Sequence, residues 1–416
     1  MMDWKLFIAR RIYSSGDDDG KTVSRPAVRI AVCGIAAGLA IMIISVAVAL
    51  GFKHKVRDMV TGLSAEVLIT SMEAAQSYQM SPIEAADSLT NELGRVPGVK
   101  HVQRFSTKPG MIMTDDNFMG MVLKGIASDY DCSFLLAHLE EGQIPAFSDT
   151  ASTNSTLVSR TIADRLKIKV GDRLYTYYVE DDLRARRLTV SGIYRTNFSG
   201  FDDTFLLTDR YTVNRLNNWR QSQVSGIEVS VDDYSRLDSV NDALRNLLVD
   251  VEDSDGTQYY SRTVEDVYPQ IFAWLNLLDI NVMVILLLMT GVAGFTMISG
   301  LLIIILERTQ MIGTLKALGA TDTSIRNVFL AFSAFVISRG MLWGDVVGIV
   351  VCAVQGIFRL LRLDPATYYI DYVPIEFNVG LVLLINLATL IVSQLMLIGP
   401  SYLVSRISPV KSMRFE

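Results

Sequence analysis

The chain has 416 residues, of which 50% are apolar and 20% are charged, and its formal net charge is −6. This composition is too apolar for a soluble globular protein and too polar for a chain buried wholly in a membrane. It excludes a cytosolic enzyme, a disordered chain and a nucleic-acid-binding protein with a basic face. The apolar residues are concentrated in four stretches, at about 30–50, 280–306, 327–357 and 377–404.

Each stretch is long enough to cross a bilayer, since a membrane helix needs about 20 predominantly apolar residues. The first is predicted to remain in the mature chain, because no small-residue cleavage site follows it. The third contains Arg339 and Asp345. Because a charge at the bilayer centre is costly, packing against other helices or an interfacial position of these charges is favoured over an ion path. Its glycines Gly340, Gly344 and Gly348 recur at every fourth residue and predict close helix contact.

The distribution of Lys and Arg predicts the orientation of the spans. Basic residues are frequent in the N-terminal segment, in the loop 307–326 and in the C-terminal tail. By the positive-inside rule these segments lie in the cytoplasm, and the region 52–270 lies outside. That region has 23 Lys and Arg against 32 Asp and Glu, whereas the rest of the chain has a net charge of +3. An acidic outer domain favours a cationic or neutral partner over a nucleic acid.

The predicted fold is an α-helical membrane protein with four transmembrane helices and a large α+β domain inserted between the first and the second. In chain order, the predicted segments are a cytoplasmic segment at 1–27, a membrane helix at 28–51, the outer domain at 52–270, a second membrane helix at 271–306, a cytoplasmic loop at 307–326, a third membrane helix at 327–358, an outer loop at 359–376, a fourth membrane helix at 377–405 and a cytoplasmic tail at 406–416.

Short alternating patterns within the outer domain predict an α+β fold with a β-rich insert at 109–205. A capping-box spacing at Ser81, with Pro82 in the first turn, predicts a helix that runs to Leu93. Further helices are predicted at 159–166 and 234–248, and strands at 67–69, 111–113, 119–126, 173–178, 187–194, 203–207, 227–231 and 259–263. Cys132 is the domain's single cysteine, so we expect no intramolecular disulfide in it.

No catalytic or metal-binding pattern is evident in the sequence. Residues 15–22 resemble a phosphate-binding loop, but Ser15 replaces the first glycine and the three aspartates would repel phosphate. The three histidines have no metal-ligand spacing, and no Gly-x-Ser-x-Gly motif is present. We therefore expect a non-catalytic chain that needs neither a metal nor a cofactor.

The loop between the second and third spans contains the most specific stretch of the sequence. Met311, Ile312, Leu315 and Leu318 recur at helical spacing, and Gly319 is predicted to end a short amphipathic helix. Such a helix can be an interfacial anchor. It can also be the part of a membrane protein that an ATP-driven motor subunit binds.

The chain resembles the ABC-transporter permease family that includes FtsX, MacB and LolC/LolE. Residues 307–320 read ERTQMIGTLKALGA and are similar to the family's coupling-helix motif, and the order of spans and domain is the family's order. The segments FIARR at 7–11, VAVALGF at 46–52, residues 368–374 and SPVKSMR at 408–414 are most similar to LolC/LolE. The resemblance implies an inner-membrane, multi-pass subunit whose large domain is periplasmic.

The resemblance also implies functional residues. Those expected to couple to an ATPase are Glu307, Arg308, Ile312, Gly313, Leu315, Lys316, Leu318 and Gly319. Those expected to line an apolar cargo cavity, on one face of the first span and its continuation, are Ile41, Ile44, Val48 and Phe52. Those expected at a hairpin contact with a periplasmic carrier are Val179, Leu183 and Arg184. This hairpin is shorter than the hook of LolC-type subunits and lacks its proline and aromatic residues. The difference favours either a LolE-like subunit or another mode of carrier recruitment in this lineage.

The partners implied are a cytoplasmic ATPase dimer, a second permease subunit that is identical or homologous, a lipoprotein cargo, a periplasmic lipoprotein carrier and membrane lipids. Two other functions in the family stay open at this point. One is an FtsX-like regulator that transmits ATPase motion to a cell-wall hydrolase, and the other is a MacB-like exporter of peptides or drugs whose ATPase is a separate chain.

Overall fold

The computed structural model describes residue 7 and residues 24–76, 81–113, 118–179, 183–249, 251 and 256–402. The phosphate-loop-like segment 15–22, the hairpin tip 180–182 and the C-terminal motif 408–414 lie outside the described residues. The chain divides into two compact units. The membrane-helix unit contains the chain up to Lys53, Trp274–Arg362 and the chain from Tyr372 onward, and the α+β unit contains His54–Ala273 and Leu363–Asp371.

The described helices are α1 (Ser24–Ser64), α2 (Met72–Gln76), α3 (Asp87–Leu93), α4 (Ser133–Ala137), α5 (Arg160–Leu166), α6 (Ser199–Asp202), α7 (Arg210–Asn217), α8 (Leu237–Leu248), α9 (Val264–Val267), α10 (Pro269–Glu307), α11 (Thr309–Ala317), α12 (Asp322–Phe358), α13 (Pro365–Tyr368) and α14 (Val379–Ser401). The described strands are β1 (Val67–Ser71), β2 (Ile83–Glu84), β3 (Val99–Met113), β4 (Phe118–Ile126), β5 (Leu139–Gly142), β6 (Ser155–Ser159), β7 (Arg173–Val179), β8 (Leu183–Tyr194), β9 (Phe205–Asp209), β10 (Gln223–Val224), β11 (Gly226–Val231) and β12 (Tyr259–Thr263).

Four of the described helices, α1, α10, α12 and α14, are long and apolar enough to cross a membrane. The fold class predicted from the sequence, four transmembrane helices with an α+β domain between the first and second, is confirmed. In the most apolar part of α1, 50% of the residues are buried, compared with 17% in α10 and 22% in α12 and α14. Helix α1 is therefore the helix on which the others pack.

Small residues allow α12 to approach α1 closely. A Cβ atom added at Gly344 would lie 2.8 Å from the backbone oxygen of Ala36, and one added at Gly340 would lie 2.9 Å from the Cβ of Ile35. A Cβ atom at Gly348 would also contact α1, at 3.3 Å. Each glycine of the predicted ridge thus faces α1, and the predicted close helix contact is confirmed.

Helix α10 contacts α1 through a second set of small residues. A Cβ atom at Gly34 would lie 2.8 Å from Thr296 Cγ2, and one at Gly300 would lie 3.3 Å from the Cβ of Ala31. Side chains of α1, α10, α12 and α14 then form one buried apolar cluster, which includes Ile35, Leu301, Phe329 and Leu397 among others.

The α+β unit is built on a sheet in which β3 is shared by two parts. One part has the order β12-β1-β11-β3, and α8 packs on its β12 edge through an apolar face. The other part is a closed ring of six strands in the order β3-β4-β9-β6-β8-β7, because β7 pairs with both β8 and β3. The side chains inside this ring, with those of α5 and α7, form a buried apolar cluster.

Several predicted elements match the structure. The strand at 259–263 and the hairpin of 111–113 with 119–126 are present. The helix predicted at 159–166 is α5, and Ser159 is its N-cap, accepting a hydrogen bond from the amide of Ile162. The predicted helix start at Ser81 is wrong. Residues 83–84 instead pair as β2 with β10, the amide of Ala85 donates to Ser222, and the helix begins at Asp87.

Two further differences concern segment ends. Helix α1 does not end with its apolar run. It continues through Gly51 to Ser64, and Ala65 follows with a positive φ of 54°. The short segment Leu363–Asp371, expected as a simple loop, belongs to the α+β unit. There Asn197 Nδ2 donates to Asp371 Oδ2 at 3.0 Å, and the rings of Phe198 and Tyr369 are in edge contact at 5.5 Å.

Candidate functional site

Helix α11 lies between α10 and α12 and contains the predicted coupling motif. It ends at Ala317, and Gly319 follows with a φ of +94°. The amide of Gly319 donates to the carbonyl of Lys316, and the amide of Ala320 donates to that of Leu315, both at 3.0 Å. This is a Schellman motif, whose left-handed residue is least strained as glycine. The predicted helix end at Gly319 is confirmed.

The apolar stripe of α11 faces mainly inward. Ile312 is fully buried in the apolar cluster made by α1, α10, α12 and α14, and Met311 and Leu315 pack at its edge. Leu318, the last member of the stripe, is 80% exposed. Because most of the stripe is covered by the chain's own helices, the exposed surface of α11 is its other face, and Leu318 just after the helix is exposed as well.

The eight residues predicted to couple to an ATPase therefore fall into three groups. The exposed ones are Glu307, Leu318 and Gly319. The half-buried ones are Arg308, Leu315 and Lys316. The buried ones are Ile312 and Gly313. Lys316 Nζ forms an ion pair with Asp322 Oδ1 at 2.8 Å, which links α11 to the first turn of α12.

The four residues predicted to line a cargo cavity do not share one environment. Ile41 is 42% exposed, and Ile44 and Val48 are half-buried on the same side of α1. Phe52 is buried, and its ring meets that of Trp274 edge-on at a centroid distance of 5.5 Å. The structure thus groups three of the four residues and places Phe52 in a contact between α1 and α10.

An ion pair lies beside this aromatic contact. Lys53 Nζ donates to Asp279 Oδ2 at 2.6 Å, and the two side chains are 35% and 57% exposed. Phe52 and Lys53 thus fasten α1 to α10 at consecutive positions, at the end of the apolar run of α1. A Trp and a Lys at that level are typical of the interface between hydrocarbon and water.

The residues predicted to contact a carrier lie at the end of the β7–β8 hairpin. Val179 pairs with Leu183 as the last described pair of that ladder, and Leu183 is 69% exposed. Arg184 is half-buried, and its Nη1 donates to the carbonyl of Leu216 and to Asn218 Oδ1, both at 2.9 Å. Its guanidinium thus satisfies the C-terminal end of α7, while Leu183 exposes an apolar side chain.

The α+β unit also contains a buried ion pair that sequence analysis missed. Lys124 Nζ lies 2.6 Å from Glu228 Oε1, with side chains only 4% and 2% exposed. The same ammonium donates to the carbonyl of Leu63, in the last turn of α1, at 2.9 Å, and Gln103 Nε2 donates to Glu228 Oε2 at 2.8 Å. The available signal was a single charge inside each of two otherwise apolar strands, which indicates a paired, buried group.

A second charged cluster surrounds Arg210, the largest fully buried side chain. Its guanidinium lies 3.0 Å from Asp129 Oδ2 and 2.9 Å from Asp149 Oδ2, and Arg104 Nε donates to Asp129 at 2.8 Å. Burial raises the pKa of Asp129, but the guanidiniums of Arg210 and Arg104 outweigh it and hold the pKa below its ordinary value of 3.8. Burial is the main cause of the raised pKa of Asp202 in α6. The carboxylates of Asp129, Asp149 and Asp202 accept hydrogen bonds within the α+β unit, whereas Arg210 Nε is buried without a hydrogen-bond partner in the described part of the chain.

Among the described residues, no group of three or more His, Cys, Asp and Glu side chains is arranged to hold a metal ion. The structural features that stand out are therefore the short helix α11, the contacts of Phe52 and Lys53 of α1 with α10, and the hydrogen bond from Lys124 of the sheet to the last turn of α1.

Comparison with known proteins identifies the family of the chain. A model described as the MacB-like periplasmic core domain matches residues 30–247, and one described as the FtsX-like permease C-terminal region matches residues 283–409. The lipoprotein-releasing system transmembrane protein LolC of Xylella fastidiosa strain 9a5c is 21% identical over 92% of this chain and 93% of its own length. The transmembrane protein LolE of the same type of system in Haemophilus influenzae is 21% identical over 99% of both chains.

Among solved structures, the extracellular domain of the ABC-type transporter YknZ from Gram-positive bacteria is 17% identical and has a TM-score of 0.34. The structural match covers 47% of this chain and 98% of that domain. The periplasmic core model alone spans more than half of the chain. The chain therefore belongs to the ABC-transporter permease family with a MacB-like periplasmic core and an FtsX-like C-terminal region, and within it to the LolC/LolE-like permeases.

Proposed function

We propose that the chain is the permease subunit of an ABC transporter that releases lipoproteins from the inner membrane towards a periplasmic carrier, driven by a separate ATPase. The nearly full-length similarity to LolC and LolE, which are named as lipoprotein-releasing subunits, supports this assignment. The structural observation that carries it is α11. One face of this helix is fixed in the core formed by the membrane helices, while its other face is exposed.

The burial of the predicted coupling residues supports a division of roles among them. Ile312 and Gly313 anchor α11 to its own subunit, so that a push on α11 is passed to α10 and α12. Leu318, Glu307 and Gly319 are exposed and would contact the ATPase. An apolar side chain that is 80% exposed beside a glycine turn is the type of anchor that a partner's pocket accommodates.

The cargo would contact the face of α1 that contains Ile41, Ile44 and Val48, in a complex with a second permease subunit that is identical or homologous. Each CH₂ group withdrawn from the bilayer costs about 0.8 kcal/mol unless it is covered again. Release of an acylated protein therefore needs both an energy source and an apolar surface within the transporter. Carrier contact by this subunit would involve Leu183, which is 69% exposed at the hairpin end.

Replacement of Leu318 tests the coupling surface. Leu318→Asp places a charge on the exposed face of α11 without touching the apolar core, so we expect at least a tenfold loss of co-purified ABC ATPase, measured by mass spectrometry after isolation from native membranes. Leu360→Asp is the matched control, since Leu360 is 68% exposed and lies in the loop after α12. Normal ATPase recovery with Leu318→Asp would leave α11 as an interfacial anchor only.

Reconstitution tests the reaction itself. The purified complex in proteoliposomes, supplied with a triacylated lipoprotein and a soluble carrier, should release the lipoprotein only with ATP. ATP-dependent export of a peptide or drug without lipoprotein release would favour the MacB-like alternative, and stimulation of a cell-wall hydrolase would favour the FtsX-like one.

The orientation of the chain is part of the proposal and has its own test. Cys33, Cys132 and Cys352 are first replaced by alanine, and single cysteines are then introduced at Thr150 or Thr323, which are both exposed. A membrane-impermeant maleimide should label the Thr150→Cys variant in cells with a permeabilised outer membrane, and should label Thr323→Cys only after lysis. The opposite pattern would reverse the proposed topology.

A further inference from the structure

The α+β unit contains a cavity of about 140 Å³ at the point where α1 ends. Its floor is formed by buried residues, among them Leu63 and Phe201. Phe205, Val267 and Tyr268 also line it and are only half-buried, so the cavity has an accessible side. It is not among the residues assigned above to ATPase, carrier or cargo contact.

The polar atoms in the cavity wall already have partners. Lys124 Nζ is bound to Glu228 at 2.6 Å and to the carbonyl of Leu63 at 2.9 Å, and Glu228 Oε2 accepts from Gln103. Thr107 Oγ1 donates to Ser225 Oγ at 3.1 Å. A polar ligand would therefore lose its hydration without gaining new hydrogen bonds, whereas an apolar ligand loses nothing by entering. The wall thus selects for an apolar occupant.

Size and shape restrict the occupant further. An apolar cavity of about 150 Å³ stays dry and accommodates a molecule as large as benzene. A cavity of this size holds the end of one hydrocarbon chain, about six carbon atoms, and excludes a whole acylated molecule. The rings of Phe201 and Phe205 are stacked at 4.6 Å with an interplanar angle of 19°, which gives the cavity a flat apolar wall along which a chain can lie.

We propose that this cavity binds the terminal part of one acyl chain, held against the last turn of α1. A membrane phospholipid and an acylated cargo offer the same chemistry. The assignment of this acyl chain to a cargo lipoprotein rests on the proposed function, whereas the binding of a hydrocarbon chain in the cavity does not.

Photo-crosslinking of the full chain in lipid nanodiscs tests the proposal. Two probes are used separately, a triacylated lipopeptide and a phosphatidylethanolamine, each with a diazirine at the end of one acyl chain. After irradiation, peptide mapping should find label on the segments that contain Phe201, Phe205 and Val267. Val267→Trp fills the cavity and should lower this label at least fivefold, while label on the exposed face of α10 stays the same.

Val249→Trp is the matched control, because Val249 is 67% exposed in the same unit, and it should leave the cavity label unchanged. Leu68→Phe, a smaller filling change, serves as a second variant, and calorimetry shows whether each variant keeps the native melting temperature. Label from the lipopeptide alone assigns the site to cargo, and label from both probes assigns it to acyl chains in general. Either result supports the proposal.

Absence of cavity peptides among the labelled segments of the unaltered chain would overturn the proposal and leave a packing void. Undiminished label in filled variants that melt normally would overturn it as well. Failure of ATP-dependent lipoprotein release, with phospholipid label still present in the cavity, would instead reject the proposed function and leave the cavity site in place.

Discussion

The two units of the chain use different contacts to hold their elements together. In the membrane-helix unit, Gly34, Gly340 and Gly344 allow α1 to pack closely against α10 and α12, because their missing side chains let neighbouring atoms approach. In the α+β unit, strands and helices are joined by large apolar side chains and by buried charged groups such as Lys124 and Glu228. The contrast follows the change in chain composition from the apolar stretches to the acidic inserted domain.

The physical reason lies in the solvent of each unit. Lipid chains are as apolar as leucine, so apolar side chains gain little by leaving them, and helices associate through close packing of small residues. Water drives apolar side chains into the core of the α+β unit. In that core a charge is tolerated only when it is paired and hydrogen-bonded, as Lys124 is. Different kinds of substitution should therefore destabilise the two units.

The largest effect is expected from breaking the buried ion pair. Glu228→Leu leaves the ammonium of Lys124 buried without its counter-ion, which should lower the free energy of unfolding of the α+β unit by about 3–5 kcal/mol. Calorimetry of the purified chain in detergent measures the change. The double variant Lys124→Met with Glu228→Leu should recover most of the loss, because it removes both charges from the core. A double variant as unstable as the single one would show that the unpaired charge of Lys124 is not the cause of the destabilisation of Glu228→Leu.

The next largest loss of stability is expected from a substitution in the membrane-helix unit. Gly344→Ala places a methyl group 2.8 Å from the backbone oxygen of Ala36, and this overpacking should cost about 1–3 kcal/mol. The control is Gly356→Ala on the same helix, where an added Cβ meets nothing within 4 Å. Unfolding by SDS in mixed micelles compares the two variants. Equal stability of both would mean that the glycine contacts do not hold α12 to α1.

Features that depend on neighbours in the chain could be predicted from the sequence. The four spans, the glycine ridge, the helix at 159–166 and the helix end at Gly319 all follow from local patterns. Features that depend on distant segments could not be predicted. The start of α3 is delayed because residues 83–84 pair with 223–224, and the ion pair of Lys124 joins two strands about a hundred residues apart.

The candidate site shows the same limit. Helical spacing correctly predicted an apolar stripe on α11, but it could not show which side of the helix is covered. Ile312 is buried because α10 and α12 supply the side chains around it, while Leu318 extends past that core. The burial of Phe52 likewise depends on Trp274, more than two hundred residues further along.

A pH-dependent effect is expected from the cluster of Asp129, Arg104 and Arg210. Because the pKa of Asp129 is lowered in the folded chain, its stabilisation is complete above the ordinary value of 3.8 and is lost as the pH falls through the lowered pKa. Asp129→Asn should lower the stability of the α+β unit by about 1–3 kcal/mol at neutral pH. The difference from the unaltered chain should shrink between about pH 5 and pH 2, as that carboxylate takes up its proton.

Asp242→Asn is the control for this experiment, since Asp242 is exposed on α8. It should leave the pH profile of calorimetric melting unchanged. A constant difference between Asp129→Asn and the unaltered chain at every pH would contradict an electrostatic role for the cluster. Asp202, whose pKa is raised by burial, contributes in the opposite sense, and its stabilisation is lost as the pH rises through the raised value.

The smallest effect is expected where the membrane-helix unit does use an ion pair. Lys53 and Asp279 are 2.6 Å apart, but their side chains are 35% and 57% exposed, so water and salt screen the attraction. Lys53→Gln should therefore cost only about 0.2–1 kcal/mol in low salt and almost nothing in 1 M salt. Lys55→Gln removes the same charge two residues away and is the control for net charge.

The stability of both variants is measured by SDS unfolding at both salt concentrations. A loss of about 3 kcal/mol that persists in 1 M salt would show that this pair behaves like the buried pair of the α+β unit, and the contrast between the two units would then not extend to their charges.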